Sequence, residues 1–286
     1  MIKIYIPIIA QYGIGGGWRF TNQLMKALKD KVEFVDQLEL CDLYFIPGPT
    51  IADKDEVVIA KKLKKKIVLR VDNIVKNSRN RGAGTPRLYE FARMADEVIY
   101  QSEWSKEWLK DFLGREGEVI LNGTDASIFC EKGEKLVPNG TPQYLYCRAR
   151  RDEDKMWSKA WYEFQKIYFK NPNAHLWIIG KFSKEVMKNH FDFYGGAEKR
   201  YKFFGIIERA EDMAKIYRGA DIFIYSYILD ACSNSLIEAR ACGNQIMRCD
   251  NGDSGADEIM AVPKEELTME IMADKYLKVF EKVVIN

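Results

Sequence analysis

The chain has 286 residues, enough at about 150 residues per domain for two domains or one large one. Hydrophobic residues make up 47% and charged residues 30%, the balance of a globular chain long enough to fold without disulfides or a structural metal. Its 44 basic and 42 acidic side chains leave a formal charge of +2, too weak a field for a general nucleic-acid binder, and no apolar run approaches the ~18 residues that would span a bilayer.

The N-terminus, Met1-Ile-Lys-Ile-Tyr-Ile-Pro-Ile-Ile9, reads as a strand with no small-residue cleavage site, so no secretory leader is expected. Apolar and β-branched runs at 2–9, 32–36, 43–47, 66–71, 97–101 and 117–121 alternate with amphipathic segments at 18–30, 52–65 and 86–95. That alternation predicts βαβ units and a parallel sheet. A polar stretch, Cys130 to Gln143, is rich in Gly, Pro and charge and marks a boundary. It separates an expected domain 1–137 from a second, 138–286. The theme then repeats, with strands near 144–147, 175–180, 201–204, 221–225 and 245–249 and helices near 155–169, 209–218 and 235–242. A helix over 264–283 closes the chain, with Leu267, Ile271, Met272, Tyr276 and Phe280 on one face.

Six cysteines, at 41, 130, 147, 232, 242 and 249, include no Cys-x-x-Cys pair. They are expected as reduced thiols of a cytoplasmic protein, with neither a disulfide framework nor a zinc site. The sequons at Asn122 and Asn139 are then turn sequences. Neither histidine, His175 or His190, has neighbours suited to a Ser-His-Asp hydrolase or a metal enzyme. Asp152-Glu-Asp154 reads as a solvated helix start rather than a metal motif. The run Lys61 to Lys66 reads as the last turn of a helix, or as a basic patch for peripheral contact with anionic lipid.

After the first strand comes Gly13-Ile-Gly15-Gly16-Gly17-Trp18-Arg19, where glycines let backbone amides approach a phosphate at a helix start. A dinucleotide fingerprint would use Gly13, Gly15 and Asp36. Its third glycine position holds Trp18, whose indole blocks close helix–strand packing, which argues against NAD. A glycine-rich turn without a ligand is the other reading.

The most informative segment runs from Tyr227 to Gly243, after an apolar strand and into a helix. Its loop 231–235 presents backbone N–H groups at a helix N-terminus, bracketed by Asp230 and Glu238 with seven residues between them. Glu238, expected in the first turn, is favoured by the helix dipole and suits a ribose diol. Ser235-Leu-Ile-Glu238 also reads as a capping box, which leaves Asp230 and Cys232-Ser-Asn234 unexplained.

This segment resembles the signature of retaining GT-B glycosyltransferases of group 1 (family 4). Further resemblances follow in the family's order: Gly15-Gly16-Gly17, Ala95 to Ser105, Val119 to Asp125 with Phe129, Arg150 with Lys155, Trp177-Ile-Ile-Gly180, and Phe204-Gly205. They span about residues 8 to 260. The resemblance implies an α/β protein of two doubly wound Rossmann-like domains facing a cleft, the acceptor on the N-terminal side and the donor on the C-terminal side. It implies transfer of a sugar from a UDP- or GDP-sugar to a glycan, lipid or protein acceptor with retention of configuration, without cofactor or metal.

By the same resemblance, Gly15, Gly16 and Gly17 approach the donor diphosphate, while Arg150 and Lys155 stabilise the leaving group, with Arg148 and Arg151 as neighbouring candidates. Gly180 and Lys181 lie near the base and ribose, and Glu238 holds the ribose. Asp230 and the amides of Cys232, Ser233, Asn234, Ser235 and Leu236 hold sugar and phosphates. The chain departs from the family in having Asp230 where glutamate is usual. It also has no histidine after the fourth strand, where Arg70 and Asp72 become candidates for acceptor or donor-sugar contacts or for a local ion pair. Asp230 in place of glutamate and the short chain keep open a non-catalytic sugar-nucleotide-binding subunit, and the shared architecture keeps open a sugar-nucleotide epimerase.

Overall fold

The computed structural model describes residues 1–11, 16–72, 84–149, 154–181 and 200–285, with backbone only at 84, 148, 149, 154 and 155. The chain divides into two compact units: Met1–Asp125 with Leu229–Cys232 and Ser254–Asn286, and Ala126–Ile228 with Ser233–Asp253.

In unit 1 the described elements are β1 (Lys3–Tyr5), α1 (Ile8–Gln11), α2 (Gly16–Leu28), β2 (Glu33–Val35), β3 (Leu43–Ile46), α3 (Lys54–Lys62), β4 (Lys66–Val71), α4 (Gly84–Met94), β5 (Glu97–Tyr100), α5 (Glu103–Leu113) and β6 (Glu118–Val119). The strands pair in parallel in the order β2-β1-β3-β4-β5-β6. All four residues of β3 and five of the six in β4 are buried. Such continuous burial explains the unbroken apolar runs, because helices cover both sheet faces. Alternation then sorts the side chains: Tyr44, Ile46, Ile67 and Leu69 enter one core, while Leu43, Phe45 and Val68 enter the other. The predicted strand 2–9 stops at Tyr5, and Ile8–Gln11 is helical.

Unit 2 contains β7 (Gln143–Ala149), α6 (Asp154–Lys170), β8 (His175–Gly180), β9 (Tyr201–Gly205), α7 (Ala210–Gly219), β10 (Ile222–Tyr225), α8 (Asn234–Ala241) and β11 (Gln245–Arg248). Its parallel order is β11-β10-β7-β8-β9. Strand order reverses between β1 and β3 in unit 1 and between β7 and β10 in unit 2, the points where doubly wound sheets bind ligands at their carboxyl ends. An aromatic lattice fills the core, with Tyr146 5.2 Å from Trp157 and Trp157 5.6 Å from Trp161.

The expected domains 1–137 and 138–286 are corrected at both ends. Arg218 of α7 donates to the carbonyls of Ile128 (3.0 Å) and Glu134 (2.7 Å), which fastens the polar stretch to unit 2 from residue 126 onward. The last two helices, α9 (Ala256–Ala261) and α10 (Met269–Ile285), belong to unit 1. Helix α10 places Met272, Tyr276 and Phe280 in the core with Phe20 and Phe45, at ring distances of 5.1 to 5.7 Å. Its apolar face satisfies the parallel sheet of the first half, and that partner decides its unit.

The stretch Val119–Asp125 receives this return. Thr124 N–H donates to the Leu267 carbonyl and Met269 N–H to the Thr124 carbonyl, each at 2.9 Å. The backbones meet at Gly123, where a Cβ would lie 2.1 Å from the Thr268 oxygen. Gly123→Ala should therefore lower stability by about 2–4 kcal/mol in thermal or urea unfolding, whereas Gly16→Ala, with open space around its Cβ, should have little effect on stability.

A second prediction concerns His175, buried at the start of β8. Burial, helped by the nearby Lys202 charge, holds its pKa below the usual value. The unfolded chain then takes up the proton first, so stability falls as pH drops through about 6.5. His175→Gln should flatten that part of a stability-against-pH profile.

Candidate functional site

In unit 1, three segments meet at the carboxyl edge of the sheet near its reversal point. Helix α2 begins with Gly16 and Gly17, Gly48 follows β3, and Asp72 follows β4. A Cβ on Gly48 would lie 2.5 Å from the Asp72 carboxylate, and one on Gly17 would lie 3.6 Å from it. Only glycine at 48 lets this carboxylate sit there. Sequence reasoning missed Gly48 because it stands alone in Pro47-Gly-Pro49, outside any glycine motif. Trp18, half-buried, donates its indole N–H to the Ile9 carbonyl at 2.7 Å, joining α2 to α1.

Arg70 is 3% exposed, its guanidinium within the unit. It donates to the Pro47 carbonyl (3.1 Å), to Gln101 Oε1 (2.7 Å) and to Asn122 Oδ1 (3.1 Å), and lies 3.8 Å over the Phe20 ring. The expected sugar contact or local ion pair at Arg70 is therefore replaced by a framework role. Asp72, half-buried at the strand end, keeps its candidacy.

The two acids of the signature lie in different units. Asp230 is half-buried and belongs to unit 1, as does Cys232. The Cys232 thiol is buried and accepts the Asn122 N–H at 3.2 Å, while its carbonyl accepts from Asn122 Nδ2 at 3.0 Å. Burial pushes this thiol up to about 12, so it stays protonated.

In unit 2, α8 has Ser233 as its N-cap, and no side-chain cap hydrogen bond forms. The Ser233 and Ser235 hydroxyls pair with each other at 3.1 Å instead. The Ser235–Glu238 capping box is thus absent, because the helix starts two residues earlier than that motif requires. Asn234, Ser235 and Leu236 form the first turn, whose N–H groups point out of the helix start, a geometry suited to an anion.

Glu238 is the fifth helical residue rather than part of the first turn, and it is 4% exposed. Tyr217 of α7 donates its hydroxyl to Glu238 Oε2 at 3.2 Å. Burial, reinforced by Cys147 and Glu238, holds this phenol well above its usual pKa, so it remains the donor. Burial likewise raises the Cys147 thiol on the neighbouring central strand.

At the carboxyl end of β8, Gly180 has φ 140°, and Gly205 at the end of β9 has φ 73° with open space around its Cβ. Lys181 is exposed beside Gly180. Lys155 is the second residue of α6, just past the carboxyl end of central strand β7, and the Arg148 backbone lies within that strand. Gly15, Arg150, Arg151 and Asp152 lie outside the described residues, as do the side chains of Arg148, Asp154 and Lys155. In the basic run, Lys61 donates to the Met94 carbonyl (3.0 Å) and Lys65 to the carbonyls of Glu39 (2.6 Å) and Cys41 (2.8 Å), so part of its charge serves helix ends and loops.

Residues 147–279 match the family of group 1 glycosyl transferases. Among solved structures, Anabaena HepE in complex with UDP and glucose is 14% identical with a TM-score of 0.69, covering 99% of this chain and 92% of that one. Sucrose-phosphate synthase from Thermosynechococcus elongatus is 13% identical with a TM-score of 0.63, covering 99% and 96%. AviGT4, a glycosyltransferase involved in avilamycin A biosynthesis, is 10% identical with a TM-score of 0.65, covering 100% and 99%. No curated protein matches the sequence. The fold is therefore GT-B.

All six cysteines are free, and Cys130 alone is not buried. In the folded protein at pH 8, Ellman's reagent should titrate Cys130 rapidly and reach the other five only on denaturation.

Proposed function

We propose that this chain, which carries a group 1 glycosyl transferase domain in a GT-B fold, transfers a sugar from UDP-sugar to an acceptor hydroxyl with retention of configuration and without metal. The observation that carries the reading is Glu238, a nearly fully buried carboxylate held by Tyr217 just behind an uncapped helix start at the carboxyl edge of the unit 2 sheet. UDP is the favoured nucleotide because HepE is seen with UDP and with UDP-glucose.

In this reading the first-turn amides of α8, at Asn234, Ser235 and Leu236, hold the diphosphate through the positive end of the helix dipole. Gly16 and Gly17 allow close backbone approach, and Glu238 accepts from the ribose hydroxyls. Gly180 and Lys181 border the base and ribose. Arg150 and Lys155, the latter in the first turn of α6, stabilise the charge that grows on the leaving UDP as the glycosidic bond breaks. Their positive charge does the work that a divalent cation does elsewhere.

Asp230 orients the sugar, and Asp72 is the unit 1 group proposed to meet the acceptor. The mechanism that the family resemblance implies needs no covalent intermediate: the acceptor oxygen attacks from the face that the diphosphate leaves, and the diphosphate oxygens assist removal of its proton. Six free cysteines suit a reducing compartment, and we place the activity in the cytoplasm.

Calorimetric titration with UDP, GDP, ADP and NAD should show selective binding of UDP that survives EDTA. Glu238→Gln, nearly isosteric and still an acceptor for Tyr217, should weaken UDP binding at least about tenfold, a loss of ~1.4 kcal/mol, with the fold retained. Binding of NAD alone, or unchanged UDP binding in Glu238→Gln, would overturn the assignment. With UDP-glucose and no acceptor, slow hydrolysis should release the α-anomer first, observable by proton NMR. Conversion to another UDP-sugar would instead establish an epimerase.

A further inference from the structure

The segment Leu229–Cys232 leaves the β10 end of unit 2 and is held by unit 1. Its entry is strained, because Leu229 adopts φ 52°, a left-handed conformation that costs a non-glycine residue about 1 kcal/mol or more. Such a conformation persists only where the surroundings over-determine it.

Three anchors do so here. Ala231 is buried in the unit 1 core, where Gly255 packs so closely that a Cβ on it would lie 2.1 Å from the Ala231 oxygen. Gly255 N–H donates to the Asp230 carbonyl at 2.9 Å. The third anchor is Asn122, which holds Cys232 through both its backbone N–H and its side chain.

The chemistry of Asn122 is specific. Arg70 only donates, so Asn122 must present Oδ1 to it. The Cys232 carbonyl and Gln101 Oε1 accept, at 3.0 and 3.1 Å, so both must face Nδ2. At this reach an asparagine side chain supplies the acceptor and the two donors together. Aspartate keeps the acceptor and loses both donors.

We propose that Asn122 is the positioning residue for Asp230: it converts the fixed location of buried Arg70 into a fixed conformation of Leu229–Cys232. Its effect on turnover rests on the glycosyltransferase reading, whereas its anchoring of the segment does not.

The test is Asn122→Asp, measured three ways. Thermal stability should fall only modestly, because the carboxylate gained by the buried Arg70 charge offsets part of the cost of the two lost donors. Amide hydrogen exchange at Ala231 and Cys232, measured without nucleotide, should quicken at least about tenfold while the strands of unit 1 keep their protection. For hydrolysis of UDP-glucose, kcat should fall about tenfold or more with KM for UDP-glucose changed less than about threefold, since a displaced group costs the chemical step more than ground-state binding.

A folded Asn122→Asp protein with wild-type exchange at 231–232 would overturn the proposal. So would a loss of turnover no larger than the loss of folded protein. If the wild type hydrolyses no UDP-sugar, the glycosyltransferase reading fails and the exchange measurement still decides the anchoring. If Asn122→Asp does not fold, NMR of the wild type decides: the Asn122 Nδ2 protons should exchange as slowly as the backbone amides of 231–232. Exchange at the rate of a solvated side-chain amide would overturn it.

Discussion

A guanidinium can enter a protein core only with acceptors placed to receive it, and Arg70 imposes that condition on unit 1. Its hydrogen-bond partners are a loop carbonyl at Pro47, the Gln101 side chain after β5 and the Asn122 side chain after β6, with the Phe20 ring beneath. Those groups stand on four different segments gathered at one edge of the sheet. Gln101 is itself fixed by donating to the Val71 carbonyl at 3.0 Å, which closes the network back onto β4. A buried charge held by neutral partners makes each partner hard to replace, because a hydrogen bond to a charged group contributes about 1.5–3 kcal/mol. Loop conformations that are ordinarily soft are therefore tied to one buried group.

The same edge receives the chain a second and a third time. Glu258 of α9 accepts the N–H groups of Glu103 and Trp104, each at 2.7 Å, closing the start of α5 alongside the Ser102–Ser105 capping box. Helix α10 then fills the core beside Phe20 and Phe45. Residues 95–105 and 119–125, which resemble family motifs, thus serve in the described structure as seats for the returning chain. Gly123 and Gly255 permit the backbone approaches, with Cβ positions 2.1 Å from a carbonyl oxygen in each case. A motif shared across a family need not touch substrate, since a fold that crosses between units has crossings to secure.

The sequence made the alternation of strands and helices legible because strands buried on both faces become uninterrupted apolar runs, as at 43–46 and 66–71. The partner of the last helix was not legible. An amphipathic stripe states that a face will be buried and is silent on what buries it, so 264–283 read as the end of the second domain. Arg70 was misread for a related reason: one charged residue in an apolar strand looks the same whether it points to solvent, ligand or a buried network. The helix bearing Glu238 was located well, but its first residue was not. A two-residue shift removed the capping box and moved Glu238 from the first turn to the second.

That shift sharpens the meaning of Glu238. In a first turn, a capping interaction would explain a glutamate entirely. At the fifth position, 4% exposed, its carboxylate neither caps the helix nor rests in water, and its burial opposes stability unless hydrogen bonds offset the lost hydration. Tyr217 supplies one such bond from a phenol that burial keeps protonated. A leucine or glutamine at this position would serve packing at lower cost. A charged acceptor retained there is better explained by what lies ahead of it, the helix start at residues 233–236, where the first-turn amides and an acidic acceptor suit a phosphate and a polyol on one ligand.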